Sequence, residues 1–213
     1  MTTGRFLAQL SSVVKTVARD AHTLVVPVSG GSDSALCFWL CVQAFPTKTI
    51  GLHAGENLRG ADWFKKIGRM EFTKTPGEQE ECEEMRWARF LSFSLKQNAW
   101  LVGSRNRTED LLGTYSLASR LATYLPLVNV WKSEVMDLCR FIGVPEEILN
   151  SSLRADPDCG RPQELVEISY EKIEIFLKFF TKEVEYNEMH RLSWYETRYL
   201  NQLVTQIAFK KTL

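Results

Sequence analysis

Apolar residues in the first quarter of the chain follow two kinds of spacing. Between residues 5 and 19 they recur at helical spacing, which predicts a packed N-terminal helix. Residues 24–28 read Leu-Val-Val-Pro-Val, a run of mostly β-branched side chains that predicts a buried parallel strand. Apolar positions resume at Ala35 and predict a helix that ends near Ala44, because Pro46 cannot continue it.

Short apolar runs predict further strands. Residues 49–54 and 100–103 each predict a short strand, and a polar segment follows each of them. Residues 124–128 predict an extended segment, whereas the polar residues 55–75 show no period that favours one structure. Strands separated by helical patterns predict an α/β domain with a Rossmann-like, doubly wound parallel sheet.

Helical spacing returns in the second half of the chain. It predicts a helix from Met85, a helix from Lys132 that ends before Pro145, and two C-terminal helices over 164–180 and 183–208. Residues 150–163 show no period and predict a loop long enough to act as a lid.

The polar interruption at residues 29–34, Ser-Gly-Gly-Ser-Asp-Ser, is the strongest candidate for chemistry. The two glycines allow a sharp bend and a close approach of the backbone to an anion. The helix that follows directs free N–H groups and its positive dipole end to the same point. Asp33 is consistent with a phosphate site only if a cation such as Mg²⁺ also binds there. The predicted nucleotide ligands are Ser29, Gly30, Gly31, Ser32, Asp33 and Ser34.

Composition sets broad limits on the protein class. The 213 residues are enough for one domain over 1–213, with the helices of 164–208 packed on it or on a dimer partner. With 26 basic and 26 acidic residues the net charge is zero, which argues against a nucleic-acid partner. Five cysteines without a CxxC pair fit a reducing, cytoplasmic setting, and the longest apolar run is too short to cross a membrane.

The order of motifs resembles that of a known family. The sequence of residues 29–34 is similar to the PP-loop of the N-type ATP pyrophosphatases, which cleave ATP between its α- and β-phosphates. Later residues extend the resemblance to the NAD synthetases, from about residue 24 to residue 150. These residues are Met85, Arg86, the segment 101–104, Asn106, Glu109, Gly113, Pro126, Lys132 and Val135.

The resemblance implies a fold of the adenine nucleotide α-hydrolase type, a homodimer, and a ligase that uses ATP and Mg²⁺. Such enzymes adenylate the carboxylate of deamido-NAD, and ammonia then displaces AMP. By resemblance, Asp33 and Glu109 would hold Mg²⁺, Arg86 would lie at the nucleotide, and Lys132 would neutralise phosphate charge. The candidate catalytic residues are thus Asp33, Glu109 and Lys132, and the candidate substrate-binding residues are Asn106, Arg120, Arg154 and Asp156.

The resemblance weakens where the family binds its acceptor. In place of a Thr-Lys-x-Gly-Asp segment the chain has Leu117 at the lysine position and Arg120 at the aspartate position. In the predicted lid, Arg154 replaces a threonine. A carboxylate that accepts hydrogen bonds from substrate hydroxyls has become a cationic donor, which reverses the recognition preference. The ATP half of the site is therefore expected to match the family and the acceptor half to differ from it, so that the acceptor is deamido-NAD or an altered relative of it.

Three functions fit these observations. The first is an AMP-forming, ammonia-using ligase similar to NAD synthetase. The second is another PP-loop enzyme that adenylates a different metabolite or a tRNA base, although zero net charge and the absence of a CxxC pair count against tRNA. The third is a nucleotide-binding regulator without catalytic activity.

Overall fold

The computed structural model describes residues 2–73, 82–153, 167–184 and 186–212. Within these ranges, four parallel strands form one sheet in the order β3-β2-β1-β4. The strands are β1 (Thr23–Pro27), β2 (Thr49–Ala54), β3 (Met70–Thr73) and β4 (Ala99–Leu101). Val25 at the centre of β1 pairs with Ile50 on one side and with Leu101 on the other. The predicted parallel α/β sheet is confirmed.

Nine α-helices are described. They are α1 (Thr3–Val17), α2 (Ser32–Ala44), α3 (Ala61–Ile67), α4 (Glu83–Lys96), α5 (Arg107–Leu112), α6 (Lys132–Phe141), α7 (Glu146–Leu149), α8 (Tyr170–Phe180) and α9 (Trp194–Thr212). Three 3₁₀-helices span Leu117–Leu121, Asn150–Leu153 and Tyr186–Arg191. In the described ranges, no helix combines the length and apolar character needed to cross a membrane.

Alternate residues of β1 face two different cores, as the period of a strand requires. Leu24 and Val26 belong to the larger core, which also contains buried residues of α1, α2 and α6. Val25 faces the opposite side of the sheet and packs in a smaller cluster with Leu101 and Phe90 of α4. Helices therefore cover both faces of the sheet, which is why its central strand β1 is almost continuously apolar.

Within residues 55–75, where the sequence pattern favours no single structure, the chain forms the helix α3 and the strand β3. The pattern does not indicate them because each is short and mixes charged with apolar side chains. Their packing is nevertheless specific: Phe64 of α3 is fully buried, with its ring centroid 6.1 Å from that of Phe38. A Cβ on Gly51 would lie 2.3 Å from the Met70 sulfur, so this glycine allows β2 and β3 to pack closely.

Several predicted bounds also need correction. The extended segment 124–128 contributes only one isolated bridge, between Tyr124 and Val102. The described helix in the region of the first predicted C-terminal helix begins at Tyr170, where Ser169 caps it by accepting a hydrogen bond from the Lys172 N–H, and residues 164–166 of the predicted helix lie outside the described residues. The second begins at Trp194 and not at 183. Most of the predicted lid, including Arg154 and Asp156, lies outside the described residues.

The C-terminal helices pack on the same chain. A third hydrophobic cluster joins Leu112 of α5, Trp131, Ile173 and Phe176 of α8, and Leu200 of α9. This packing brings α8 beside the first turn of α6, a contact that shapes the candidate site.

Candidate active site

The segment 29–34 forms a compact loop between β1 and α2. The Ser34 hydroxyl accepts a 3.2 Å hydrogen bond from the Ser29 N–H and donates one of 2.9 Å to the Gly31 carbonyl. The Gly31 N–H donates to the Ser29 hydroxyl over 3.3 Å. No side chain caps α2, whose first turn begins at Ser32. Its N–H groups are therefore available to an anion such as a phosphate.

Gly30 is needed for the shape of this loop. Its φ of +80° lies in the left-handed region, which residues with a Cβ rarely adopt. A Cβ there would also lie 3.0 Å from Cβ of Arg59 and 3.2 Å from the Arg59 carbonyl oxygen. The loop after β2 thus packs directly against the loop after β1.

Asp33 is the centre of a buried polar cluster. Its Oδ1 accepts a 2.7 Å hydrogen bond from Asn106 Nδ2, and its Oδ2 forms an ion pair with Lys132. Lys132 Nζ also donates to the Ser32 hydroxyl over 2.8 Å. Asn106 is fully buried and Lys132 is 4% exposed. The cluster joins three segments that are far apart in the sequence.

Asn106 also links Asp33 to Glu109. As the N-cap of α5, its Oδ1 accepts a 2.9 Å hydrogen bond from the Glu109 N–H. In return, Glu109 Oε2 accepts one of 3.3 Å from the Asn106 N–H. This capping box fixes the amide orientation, since Oδ1 faces the helix and Nδ2 faces Asp33. One residue therefore holds both predicted metal-binding carboxylates.

Lys132 keeps its charge in this environment. Burial by itself favours the neutral amine, but the carboxylates of Asp33 and Glu109 outweigh burial and raise the Lys132 pKa above its ordinary value. Its Nζ also lies 5.9 Å from the centre of the Tyr170 ring. A permanent ammonium at the end of the phosphate loop can neutralise charge that develops on a phosphate.

Glu174, which the sequence pattern did not indicate as a site residue, stabilises the helix turn that carries Lys132. Glu174 is 2% exposed, and its carboxylate accepts hydrogen bonds from the Ser133 N–H (2.8 Å), the Ser133 hydroxyl (2.5 Å) and the Thr108 hydroxyl (3.4 Å). The Thr108 oxygen in turn accepts from the Lys132 N–H over 3.0 Å. Glu174 therefore fixes the first turn of α6, from which Lys132 projects. An acidic residue between the apolar Ile173 and Ile175 was the available signal.

A cavity of about 410 Å³ opens at the carboxyl ends of the strands, above this cluster. Most of the predicted site residues line it, namely Ser29, Gly31, Asp33, Ser34, Arg86, Asn106, Glu109 and Lys132. Gly30 and Ser32 are not among the lining residues, and Ser32 lies fully buried beneath Lys132. Arg120 is exposed on the 3₁₀-helix Leu117–Leu121 and is also not among them. Arg154 and Asp156 lie outside the described residues.

Other side chains that we did not predict also line the cavity. Arg105 and Tyr115 do so together with the hydroxyl-bearing Ser116 and Ser119.

His53 lies at the end of β2 and also lines the cavity. Its Nδ1 is 2.7 Å from the Val28 carbonyl oxygen, which can only accept a hydrogen bond, so Nδ1 must carry the proton. His53 thus acts as a hydrogen-bonding residue, as a lone histidine at a strand end usually does.

The side chains present suit a metal ion that binds together with phosphate. Among the described residues, no group of three or more His, Cys, Asp or Glu side chains could hold a metal by itself. Mg²⁺, however, is commonly bound by one or two carboxylates, with substrate phosphates and water as further ligands. Asp33 and Glu109 line the same cavity and share Asn106 as a hydrogen-bonding partner.

Comparisons with known proteins point in one direction. A family model described as NAD synthase matches residues 65–213. The NH₃-dependent NAD⁺ synthetase of Methanocaldococcus jannaschii is 27% identical over 228 aligned positions, which cover 91% of this chain and 88% of that protein.

Two solved structures share the fold. The NH₃-dependent NAD synthetase from Campylobacter jejuni superposes with a TM-score of 0.78 at 18% identity, covering 100% of this chain and 98% of that one. The NMN synthetase from Francisella tularensis gives a TM-score of 0.75 at 19% identity and covers 100% and 97%. At these identities the likeness concerns the fold alone.

Proposed function

Because this chain belongs to the NAD synthase family, we propose that it is an ATP-dependent ligase that amidates the carboxylate of a nicotinate nucleotide with ammonia. In the first step, a carboxylate oxygen bonds to the α-phosphorus of ATP, the α–β phosphate bond breaks, and pyrophosphate leaves. In the second step, ammonia bonds to the acyl carbon, AMP leaves, and the nitrogen loses a proton to solvent. The family resemblance predicted from the motifs is confirmed.

The observation that carries this proposal is the cluster of Asp33, Asn106 and Lys132 beneath the phosphate loop. Lys132 holds a positive charge at the loop. The carboxylates of Asp33 and Glu109 both accept a hydrogen bond from Asn106. Transfer of an adenylyl group needs oxygen ligands for a metal and a fixed cation for phosphate. Both requirements are met in one cavity by residues that are already held in place.

Each residue has a role that suits its chemistry. The N–H groups at the start of α2 and the hydroxyls of Ser29 and Ser34 would bind the pyrophosphate portion of ATP. Lys132 would neutralise the charge that grows on the leaving pyrophosphate, and Arg86 would bind the nucleotide from α4. When bound, Mg²⁺ would shield the phosphate oxygens from the attacking carboxylate, and Asp33 and Glu109 would hold the ion.

The reaction requires no nucleophile from the protein, and the nearby thiols are unsuited to that role. Burial raises the pKa of Cys139, whose thiol donates to the Ser32 carbonyl over 3.3 Å, to about 12. A hydrogen bond with Cys41, together with burial, also raises the pKa of Cys37. A thiol with a raised pKa holds little thiolate at neutral pH. Catalysis would come from position and charge neutralisation.

We also propose, from the family resemblance, that the protein acts as a homodimer and that deamido-NAD is the first acceptor to test. The experiment combines the purified protein with ATP, Mg²⁺, ammonium and deamido-NAD or nicotinate mononucleotide. We expect stoichiometric release of pyrophosphate and formation of the corresponding amide. ATP binding without pyrophosphate release on any nicotinate nucleotide would overturn the proposal in favour of a nucleotide-binding regulator.

A further inference from the structure

A second cation faces the cavity apart from the phosphate loop. Arg105 follows β4 and is the neighbour of Asn106, but its side chain does not join the Asp33 cluster. Its guanidinium carbon lies 4.1 Å from the centre of the Tyr115 ring, and its Nε lies 3.3 Å from Asp110 Oδ1. The side chain is only 12% exposed, and both Arg105 and Tyr115 line the cavity.

These two contacts orient the guanidinium and leave much of its hydrogen-bonding capacity unused. Stacking on Tyr115 occupies one face of the plane, whereas all five N–H groups point outward within that plane. Asp110 is close enough to compensate charge, yet the buried Nε has no hydrogen-bonding partner among the described residues. A guanidinium oriented by these two contacts has paired Nη groups whose N–H donors suit the oxygens of a phosphate or carboxylate.

Among the described residues, Asp110 is the only carboxylate that pairs with Arg105. Residues 113–120 contain no carboxylate, and the Ser119 hydroxyl donates to the Ser116 carbonyl over 2.7 Å. The lining carboxylates of the described residues are Asp33, Glu83 and Glu109. Asp33 is engaged by Lys132 and Asn106, and Glu109 caps α5. In the described part of the chain, no carboxylate that lines the cavity pairs with Arg105, so its Nη groups can donate to the oxygens of a bound anion.

We propose that Arg105, stacked on Tyr115 and oriented by Asp110, forms a second anion subsite that binds a phosphate group of the acceptor nucleotide. The inference rests on the proposed function, since a ligase of this kind binds two anionic substrates in one cavity. Residues 29–34 and Lys132 serve the phosphates of ATP. Arg105 follows β4 and contacts Tyr115 and Asp110, whereas Asp33 of the phosphate loop contacts Asn106 and Lys132, so Arg105 serves the other substrate.

The test uses binding, so that it does not depend on turnover. Nicotinate mononucleotide and its phosphate-free counterpart, nicotinate riboside, are titrated by calorimetry into the full chain with Mg²⁺ and a non-hydrolysable ATP analogue. In the unaltered protein the phosphate should improve affinity by at least about tenfold. Arg105→Gln should weaken mononucleotide binding about 10- to 100-fold and leave riboside binding unchanged.

The control is Arg140→Gln, the same substitution at a side chain that is 59% exposed on α6 and paired with Asp137. It should change neither affinity. Deamido-NAD, titrated in parallel, carries a diphosphate where the mononucleotide carries a terminal phosphate. Comparison of the two affinities shows which of these groups the subsite prefers. Equal affinities of the unaltered protein for mononucleotide and riboside would overturn the proposal without any variant. Equal weakening of both ligands by Arg105→Gln would also overturn it. Absence of turnover with every nicotinate nucleotide would instead refute the proposed reaction.

Discussion

The side-chain amide of Asn106 donates a 2.7 Å hydrogen bond to the carboxylate of Asp33, 73 residues earlier in the chain. The same amide caps α5 through its oxygen. A single side chain thus ties the loop after β4 to the loop after β1, and both loops contribute to one cavity. The activity should therefore depend on hydrogen bonds between these loops.

Asn106→Ser and Asn106→Ala separate the two contacts of this residue. Serine can still cap α5 but is too short to reach Asp33, whereas alanine loses both contacts. We expect the alanine variant to be less stable than the serine variant by about 1 kcal/mol, because only it lacks the cap. Both should lose pyrophosphate release to the same extent, by at least about tenfold. Chemical denaturation and a pyrophosphate assay measure the two effects. Full activity of Asn106→Ser would show that the bond to Asp33 is unimportant.

Lys132→Met keeps the length of the side chain and removes its charge. Since Lys132 would neutralise the leaving pyrophosphate, we expect kcat to fall by about 10²- to 10³-fold. Lys66→Met, at an exposed lysine of α3, is the matched control and should retain full activity. Steady-state kinetics with ATP as the varied substrate make the comparison. A Lys132→Met variant whose kcat equals that of the control would remove Lys132 from the proposed mechanism.

Glu174→Gln tests whether the contact between α8 and α6 positions Lys132. The amide keeps one oxygen for the Ser133 N–H but loses the negative charge that stabilises the start of α6. We expect a loss of about 2 kcal/mol in unfolding free energy and a lower kcat with an unchanged KM for the acceptor. Glu171→Gln, on the same helix at a side chain that is 66% exposed, should alter neither quantity. A change in stability with unaltered kcat would assign Glu174 a purely structural role.

The ion pair between Glu196 and Lys172 predicts how stability changes in acid. The hydrogen bond from Lys172 (2.8 Å), together with the Ser193 N–H (2.7 Å), lowers the pKa of Glu196 below its ordinary value of 4.5. A lowered pKa in the folded state stabilises the fold above the unfolded pKa, and this contribution is lost as the pH falls below 4.5 toward the folded value. Glu196→Gln should therefore lower stability at pH 6 and have little effect at pH 3, as thermal unfolding at both pH values can measure. An equal loss at both pH values would point to packing and not to charge.

Gly30→Ala and Gly143→Ala form a matched pair. Both glycines have positive φ, +80° and +74°, so alanine should be strained at either position. At Gly30 the new Cβ would also press on Arg59, whereas at Gly143 nothing lies within 4 Å. We expect a similar loss of about 1 kcal/mol from backbone strain in both variants. Gly30→Ala alone should weaken ATP binding, measured by calorimetry. Equal ATP affinity in the two variants would contradict a role of the loop shape in nucleotide binding.

The phosphate loop and its strand and helix could be predicted because their signals are local. The apolar run before residue 29, the two glycines and the apolar run after Ser34 each act over a few residues. Lys132 and Glu109 were predicted by the order of motifs, and the cavity brings both beside Asp33. The reason that they meet there, the capping box of Asn106, could not be predicted, since it depends on how two loops face each other.

Long-range packing accounts for what the sequence did not reveal. Glu174 appears in the pattern as one more charge on an amphipathic helix, and only the docking of α8 against α6 gives it partners. The acceptor side shows the same limit. The sequence predicts a substrate-binding cation at Arg120, which is exposed, and gives no sign that Arg105, which follows β4, lines the cavity. The contact of Arg105 with the Tyr115 ring joins residues ten positions apart and is not visible in the pattern.

The strand order carries a consequence for specificity. From β1 the chain proceeds outward through β2 and β3, then crosses back to place β4 on the opposite flank. The connections that leave β1 and β4 consequently diverge, and a crevice opens between them at the topological switch point. That crevice arises from the path of the backbone and not from any individual side chain. Substitutions along its rim, such as those around Arg105 and Tyr115, can therefore redirect ligand choice without abolishing the space in which ligands bind.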